Sequence, residues 1–131
     1  MTGRFLIDTN IVIALFANNS EVKQYLDNVS EVFIPAIVLG ELYYGAYKSS
    51  RVHENIARIN DFASCNIVLS CDEETARWYG QIKDDLRKKG RPIPENDIWT
   101  AAIAIQYELT LVTLDEHFQD VDGLQVERWN A

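Results

Sequence analysis

At 131 residues and 47% apolar content, the chain can close one hydrophobic core without disulfide or metal staples, so a single domain over residues 1–131 is expected. A 24% charged fraction, 11% aromatics and few glycines or prolines exclude collagen-like, disordered and low-complexity classes. The net charge of −8 gives no far-field attraction for phosphates, yet an acidic site holding divalent cations is locally positive, so the substrate class stays open.

Short β-branched or aromatic runs predict strands at Phe5–Asp8, Val32–Pro35, Asn66–Ser70 and Leu111–Thr113, with a weaker fifth at Gln125–Arg128. Helical patterns fall between them, at about Thr9–Ala17, Glu21–Val29, Ala36–Lys48, Val52–Ala63, Glu73–Lys89 and Asp97–Glu108. Alternating strand and helix implies parallel strands joined by right-handed crossovers, an α/β class with helices on both sheet faces. Strands one, two and four lack polar alternation, as expected when both faces are covered. Gly90–Asn96 is the one linker-like stretch, ending the long helix and preparing the next.

Cys65 and Cys71 are too few for a disulfide framework and lack zinc-site spacing, so both are expected as small buried hydrophobes. The apolar run Phe5–Ala17 is interrupted by Asp8 and lacks a flanking basic cluster or cleavage site, and no stretch reaches the roughly 20 residues of a membrane span. A cytoplasmic setting without membrane contact is the expectation.

Charge placement points to the chemistry. Asp8 is the only charged residue between Arg4 and Glu21, Glu41 the only one between Pro35 and Lys48, and Asp97 opens a helix uncharged from Ile98 to Tyr107. A carboxylate in an apolar segment must be capped, paired, metal-bound or neutralised. Taken singly, Asp8 and Asp97 read as helix caps, Glu41 as half of an ion pair and Asp115 as a turn residue. Geometry couples them, because all four map to the carboxyl edge of a parallel sheet, where such folds bind ligands.

Four carboxylates in one pocket repel unless cations join them, and oxygen-only donors select Mg²⁺ or Mn²⁺. Neither His53 nor His117 enters this set, and both are expected on the surface. An all-carboxylate centre of this kind suits phosphodiester hydrolysis without a protein nucleophile. Gly-x-Ser-x-Gly, Walker and Gly-x-Gly-x-x-Gly patterns are absent from the sequence.

Four segments in order carry a resemblance: Phe5-Leu-Ile-Asp8-Thr9-Asn10, Pro35-Ala-Ile-Val-Leu-Gly-Glu41-Leu42, Asn96-Asp97-Ile-Trp-Thr-Ala-Ala-Ile-Ala104 and Leu111-Val-Thr113-Leu-Asp115-Glu-His-Phe118. Together they resemble the motifs of the PIN-domain family, most closely its VapC-type toxins, the ribonuclease half of bacterial and archaeal toxin–antitoxin pairs. The resemblance implies a PIN-like three-layer sandwich with a central parallel sheet of four to five strands. It implies that Asp8, Glu41, Asp97 and Asp115 are catalytic metal ligands for one or two Mg²⁺ or Mn²⁺ ions, with Asn10 and Thr113 as supporting polar residues. It further implies RNA as substrate, a small antitoxin as partner and a homodimer. Glu95 and Glu116 flank the third and fourth motifs and stay outside the ligand set.

Lys83, Arg87, Lys88, Lys89 and Arg91 form the dense basic cluster of the chain, read either as phosphate contacts or as cations complementing a helix C-terminus. Tyr43, Tyr44 and Tyr47, with the helix from Val52 to Ala63, offer an apolar groove for an antitoxin, though core packing is the first reading for these tyrosines. Three other functions stay open. One is an RNA-processing nuclease without an antitoxin. The others are a receiver-like signalling domain, with Asp72 as phosphoacceptor, and a binding module in which the acids merely cap helices.

Overall fold

The structure, a computed structural model, describes residues 4–129; residues 1–3 and 130–131 of the expected single unit lie outside the described residues. In chain order the elements are β1 (Arg4–Ile7), α1 (Thr9–Phe16), α2 (Ser20–Asp27), β2 (Glu31–Pro35), α3 (Ala36–Lys48), α4 (Val52–Ser64) and β3 (Ile67–Leu69). There follow α5 (Glu73–Lys89), α6 (Glu95–Gln106), β4 (Thr110–Thr113), a 3₁₀ turn (His117–Asp120) and β5 (Val126–Arg128). The weak fifth strand therefore forms, and all four strand pairings are parallel.

Strand order is β3-β2-β1-β4-β5. From β1 the chain winds outward through β2 to β3, then crosses back to lay β4 on the other side of β1. That reversal opens a crevice beyond the carboxyl ends of β1 and β4, the place where parallel sheets of this kind bind ligands. Leu6 pairs with both Phe33 and Leu111, so the first, second and fourth strands are in register across the switch.

The absence of polar alternation in these strands has a direct cause. Phe5 and Ile7 pack with Ile34 and Val112 under Val12, Val22, Val38 and Ile59 of α1 to α4. Leu6, Phe33 and Leu111 face the other way, against Ile82 and Leu86 of α5, α6 and Phe118. Both faces bury apolar side chains, and the result is three layers.

Two expectations fail at the periphery. Cys65 and Cys71 are both exposed, because they flank β3, an edge strand whose Ile67 and Val68 are themselves 44% and 38% exposed. Tyr44 and Tyr47 are also exposed, at 65% and 67%, so core packing does not describe them. The inward stripe of α3 belongs to Val38, Leu42 and Ala46, at i, i+4 and i+8, which turns the two tyrosines outward.

Asp72 caps α5 through a reciprocal capping box with Thr75, and Gly90 closes that helix in the left-handed conformation at φ 69°. α6 starts two residues before the predicted boundary, on Pro94, and no side chain caps it. Asp97 thus sits inside the first turn of α6 rather than at its cap. Among the described residues, no helix is long and apolar enough to cross a membrane.

Candidate active site

β1 ends at Ile7, and Asp8 emerges at the lip of the sheet, its backbone N–H donating to Val112 O at 3.0 Å. The Asp8 side chain is buried. Its Oδ1 accepts from Thr9 N at 2.9 Å, capping α1, and its Oδ2 accepts from Thr113 Oγ1 at 2.8 Å. The capping role and a role in the site therefore coexist in one carboxylate.

Thr113, fully buried at the end of β4, donates its proton to Asp8 and accepts from Asp115 N at 3.1 Å. Asn10 Nδ2 donates to Thr113 Oγ1 at 3.4 Å and to Asp115 Oδ2 at 3.2 Å, while Asn10 Oδ1 accepts from Leu114 N at 3.1 Å. These bonds tie the first turn of α1 to the turn after β4. They span more than 100 residues of sequence and fix the orientation of Asp8 and Asp115 together.

Asp97 reaches the same cleft from α6, and Glu41 reaches it from the second turn of α3. The cleft is about 300 Å³, lined by Asp8, Thr9, Asn10, Glu41, Asp97 and Asp115 among others. A larger cavity of about 610 Å³ lies between α5 and the Pro92–Glu95 segment and contains none of these acids.

Burial pushes the Asp8 carboxyl up from 3.8 to about 6; the bonds from Thr113 and Thr9 oppose this, and repulsion from Asp97 and Asp115 adds to it. Asp97 is also raised, first by burial, against the pull of His117, with Glu41 and Asp115 contributing repulsion. Two carboxylates raised by burial that also face further carboxylates favour a cation among them. Thr9 Oγ1 is buried without a hydrogen-bond partner, a hydroxyl that water or a hydrated ion in the cleft would satisfy. Hard oxygen donors and an unsatisfied hydroxyl in a polar cleft fit a divalent cation.

One participant is a correction to the sequence expectation. His117 is not a free surface side chain: its Nε2 lies 2.7 Å from Asp97 Oδ2, and its side chain is only 34% exposed. Asp97, Asp115 and His117 each offer a donor atom within 4.8 Å of the others. A histidine in a polar turn carries no local sign of this contact. The signal lay two residues upstream, in an Asp115 already assigned to the site. His53, by contrast, is exposed as expected.

Glu95 and Glu116 turn elsewhere. Glu95 binds Lys83 and Tyr79, and Glu116 pairs with Arg128 at 2.8 Å. The basic cluster runs along α5 and the segment after it. Arg87 and Lys88 each lie 2.9 Å from Asp84, Lys89 lies 2.8 Å from Asp122, and Arg91 lies 3.9 Å from Asp120. With Lys83 on Glu95, every cation of the cluster faces a carboxylate, and none lines the acidic cleft.

The family model for the PIN domain matches residues 5–124. Ribonuclease VapC2 of Haemophilus influenzae is 36% identical over 129 residues, covering 96% of this chain and 98% of that protein. The tRNA(fMet)-specific endonuclease VapC of Shigella flexneri is 35% identical over 130 residues, with 97% and 98% covered. Among solved structures, VapBC2 from Rickettsia felis, bound to a DNA fragment from their promoter, superposes with a TM-score of 0.89 at 30% identity, over 97% of this chain and 99% of that one. DNA-bound VapBC from Salmonella typhimurium gives 0.90 at 32% identity, over 97% and 98%. On its fold, its four motifs and these matches, the chain belongs to the PIN domain family.

Proposed function

We propose that the protein is a metal-dependent endoribonuclease that hydrolyses RNA phosphodiester bonds and serves as the toxin of a toxin–antitoxin pair. The observation that carries this reading is the meeting of Asp8, Glu41, Asp97 and Asp115 along one cleft at the sheet's switch point. The relatives' names, ribonuclease and endonuclease, support RNA as the substrate.

In this reading the four carboxylates hold Mg²⁺ or Mn²⁺, as one ion or two. The cation supplies Lewis acidity toward the phosphate and a nucleophile at neutral pH, which spares the protein one of its own. Thr113 keeps Asp8 Oδ2 aimed by donating to it, leaving the remaining lone pairs of that carboxylate for the ion. Asn10 does the same for Asp115, and its second bond, to Leu114 N, stops the amide from turning. Because burial favours the protonated form of Asp8, cation binding displaces a proton there, and metal affinity falls below about pH 6.

A groove of about 230 Å³ between α1, α3 and α4, lined by Ile13, Phe16, Leu42, Ala46 and Ile59, shares Ile13 and Glu41 with the acidic cleft. An antitoxin segment laid in it would end at the carboxylates, where a basic side chain would neutralise them. The exposed Tyr44 and Tyr47 extend the apolar surface of α3 for that partner. The VapBC complexes among the structural neighbours support a partner of this type. A receiver-like reading has less support, since Asp72 is engaged by Thr75 and Gln106 as a helix cap.

The test is cleavage of single-stranded RNA by the purified protein. Activity should require a divalent cation and disappear in Asp8→Asn and Asp97→Ala. Cleavage that survives EDTA, or survives either substitution, would overturn the proposal.

A further inference from the structure

We infer that His117 is itself a ligand of the cation in the carboxylate cleft, which makes the centre a mixed nitrogen–oxygen site that prefers Mn²⁺ to Mg²⁺. The inference rests on the metal-dependent reading above and adds to it a donor of different chemistry. Oxygen donors alone would bind Mg²⁺ and Mn²⁺ by size and charge. An imidazole nitrogen strengthens the later first-row ion and does little for hard Mg²⁺.

The distances carry the assignment. Around an octahedral ion with donors at about 2.1 Å, neighbouring donors stand about 3 Å apart and opposite ones a little over 4 Å. His117 Nε2 is 2.7 Å from Asp97 Oδ2, and donor atoms of Asp97, Asp115 and His117 all lie within 4.8 Å of one another. A triangle no wider than this is close to the span of one coordination sphere, and small side-chain rotations would bring its three donors onto one ion. A hydrogen bond that merely steadied Asp97 would explain the first distance but not an Asp115 carboxylate oxygen within 4.8 Å of a ring nitrogen of His117.

The imidazole is also held ready. His117 opens the 3₁₀ turn, and its ring centroid lies 4.7 Å from that of Phe118, which is fully buried in the core. Upstream, Leu114 N and Asp115 N are bonded to Asn10 and Thr113, so the segment delivering His117 is fixed at both ends. Asp97 is only 13% exposed at its side chain, which keeps the shared donor edge away from bulk water.

The experiment uses the purified full chain without RNA. Electron spin-echo envelope modulation on the Mn²⁺-loaded protein should show ¹⁴N coupling, and growth on ¹⁵N-histidine should convert it, the chain having two histidines of which His53 is exposed on α4. Calorimetric titration should find that His117→Gln weakens Mn²⁺ binding about tenfold while Mg²⁺ binding changes less than about threefold. Mn²⁺ that binds without nitrogen coupling overturns the role of His117 and leaves the four-carboxylate reading intact, as does an equal loss of both metals in the variant. Absence of any Mn²⁺ binding overturns both. Should the variant fail to fold, the wild-type spectrum alone decides.

Discussion

Asp8→Asn should make the metal-free protein more stable while abolishing cleavage. Asn accepts from Thr9 N through its one carbonyl oxygen, so the cap of α1 is kept; the charge is lost together with the bond Oδ2 accepts from Thr113, a loss of about 1 kcal/mol that offsets only part of the gain. The folded-state pKa of Asp8, about 6, lies above its ordinary 3.8. The folded protein therefore holds a proton that the unfolded chain releases, and stability falls as pH rises through that window. Above pH 7 the accumulated cost is about 3 kcal/mol, from two pKa steps at about 1.4 kcal/mol each. In a chain of this length that corresponds to roughly 10 °C in Tm. Thermal unfolding followed by circular dichroism, in EDTA at pH 7.5 and pH 4, is the assay. The variant should melt well above wild type at pH 7.5 and near it at pH 4. A variant destabilised equally at both pH values would refute the reasoning, because the buried charge would then not be the cost assigned to it.

Thr113→Val removes a donor to Asp8 and an acceptor for Asp115 N in one step; it should cost about 2 kcal/mol in urea unfolding at pH 7.5 and weaken Mg²⁺ binding in calorimetry. Asp72→Ala removes the capping box of α5 and should lower stability by about 1 kcal/mol with RNA cleavage unchanged, whereas a phosphoacceptor role would show as loss of acetyl-phosphate labelling. Reversing the charge of Arg87 and Arg91 should lower the slope of RNA affinity against log salt by about one unit for each phosphate the two side chains neutralise, read by fluorescence anisotropy. An unchanged slope would assign both to their pairs with Asp84 and Asp120.

Most of the fold was legible because burial on both faces leaves a plain trace: the apolar runs of β1, β2 and β4 carry no polar alternation, and the helices between them keep their period. The candidate site was legible for a related reason, since Asp8 and Glu41 are the lone charges of apolar stretches and Asp97 opens one that stays uncharged to Tyr107. What escaped was set by the third dimension. His117 gains its partner only when the 3₁₀ turn folds against the start of α6, a contact across 20 residues that no local pattern encodes. Cys65 and Cys71 look buried by residue type, yet they flank a strand whose outer edge is open. Tyr44 and Tyr47 were decidable in principle, because the i, i+4, i+8 stripe of Val38, Leu42 and Ala46 already claimed the inward face of α3.

The strand order also governs when the centre can exist. Asp8 and Asn10 leave the ribosome before β2 and β3, and Thr113, Asp115 and His117 follow more than 100 residues later, yet they share one cluster because β4 is laid beside β1 across the switch in strand order. A chain halted anywhere before β4 has the first carboxylate and lacks the partners that aim it. A ribonuclease with this wiring stays latent on the ribosome until β4 and the turn after it have emerged.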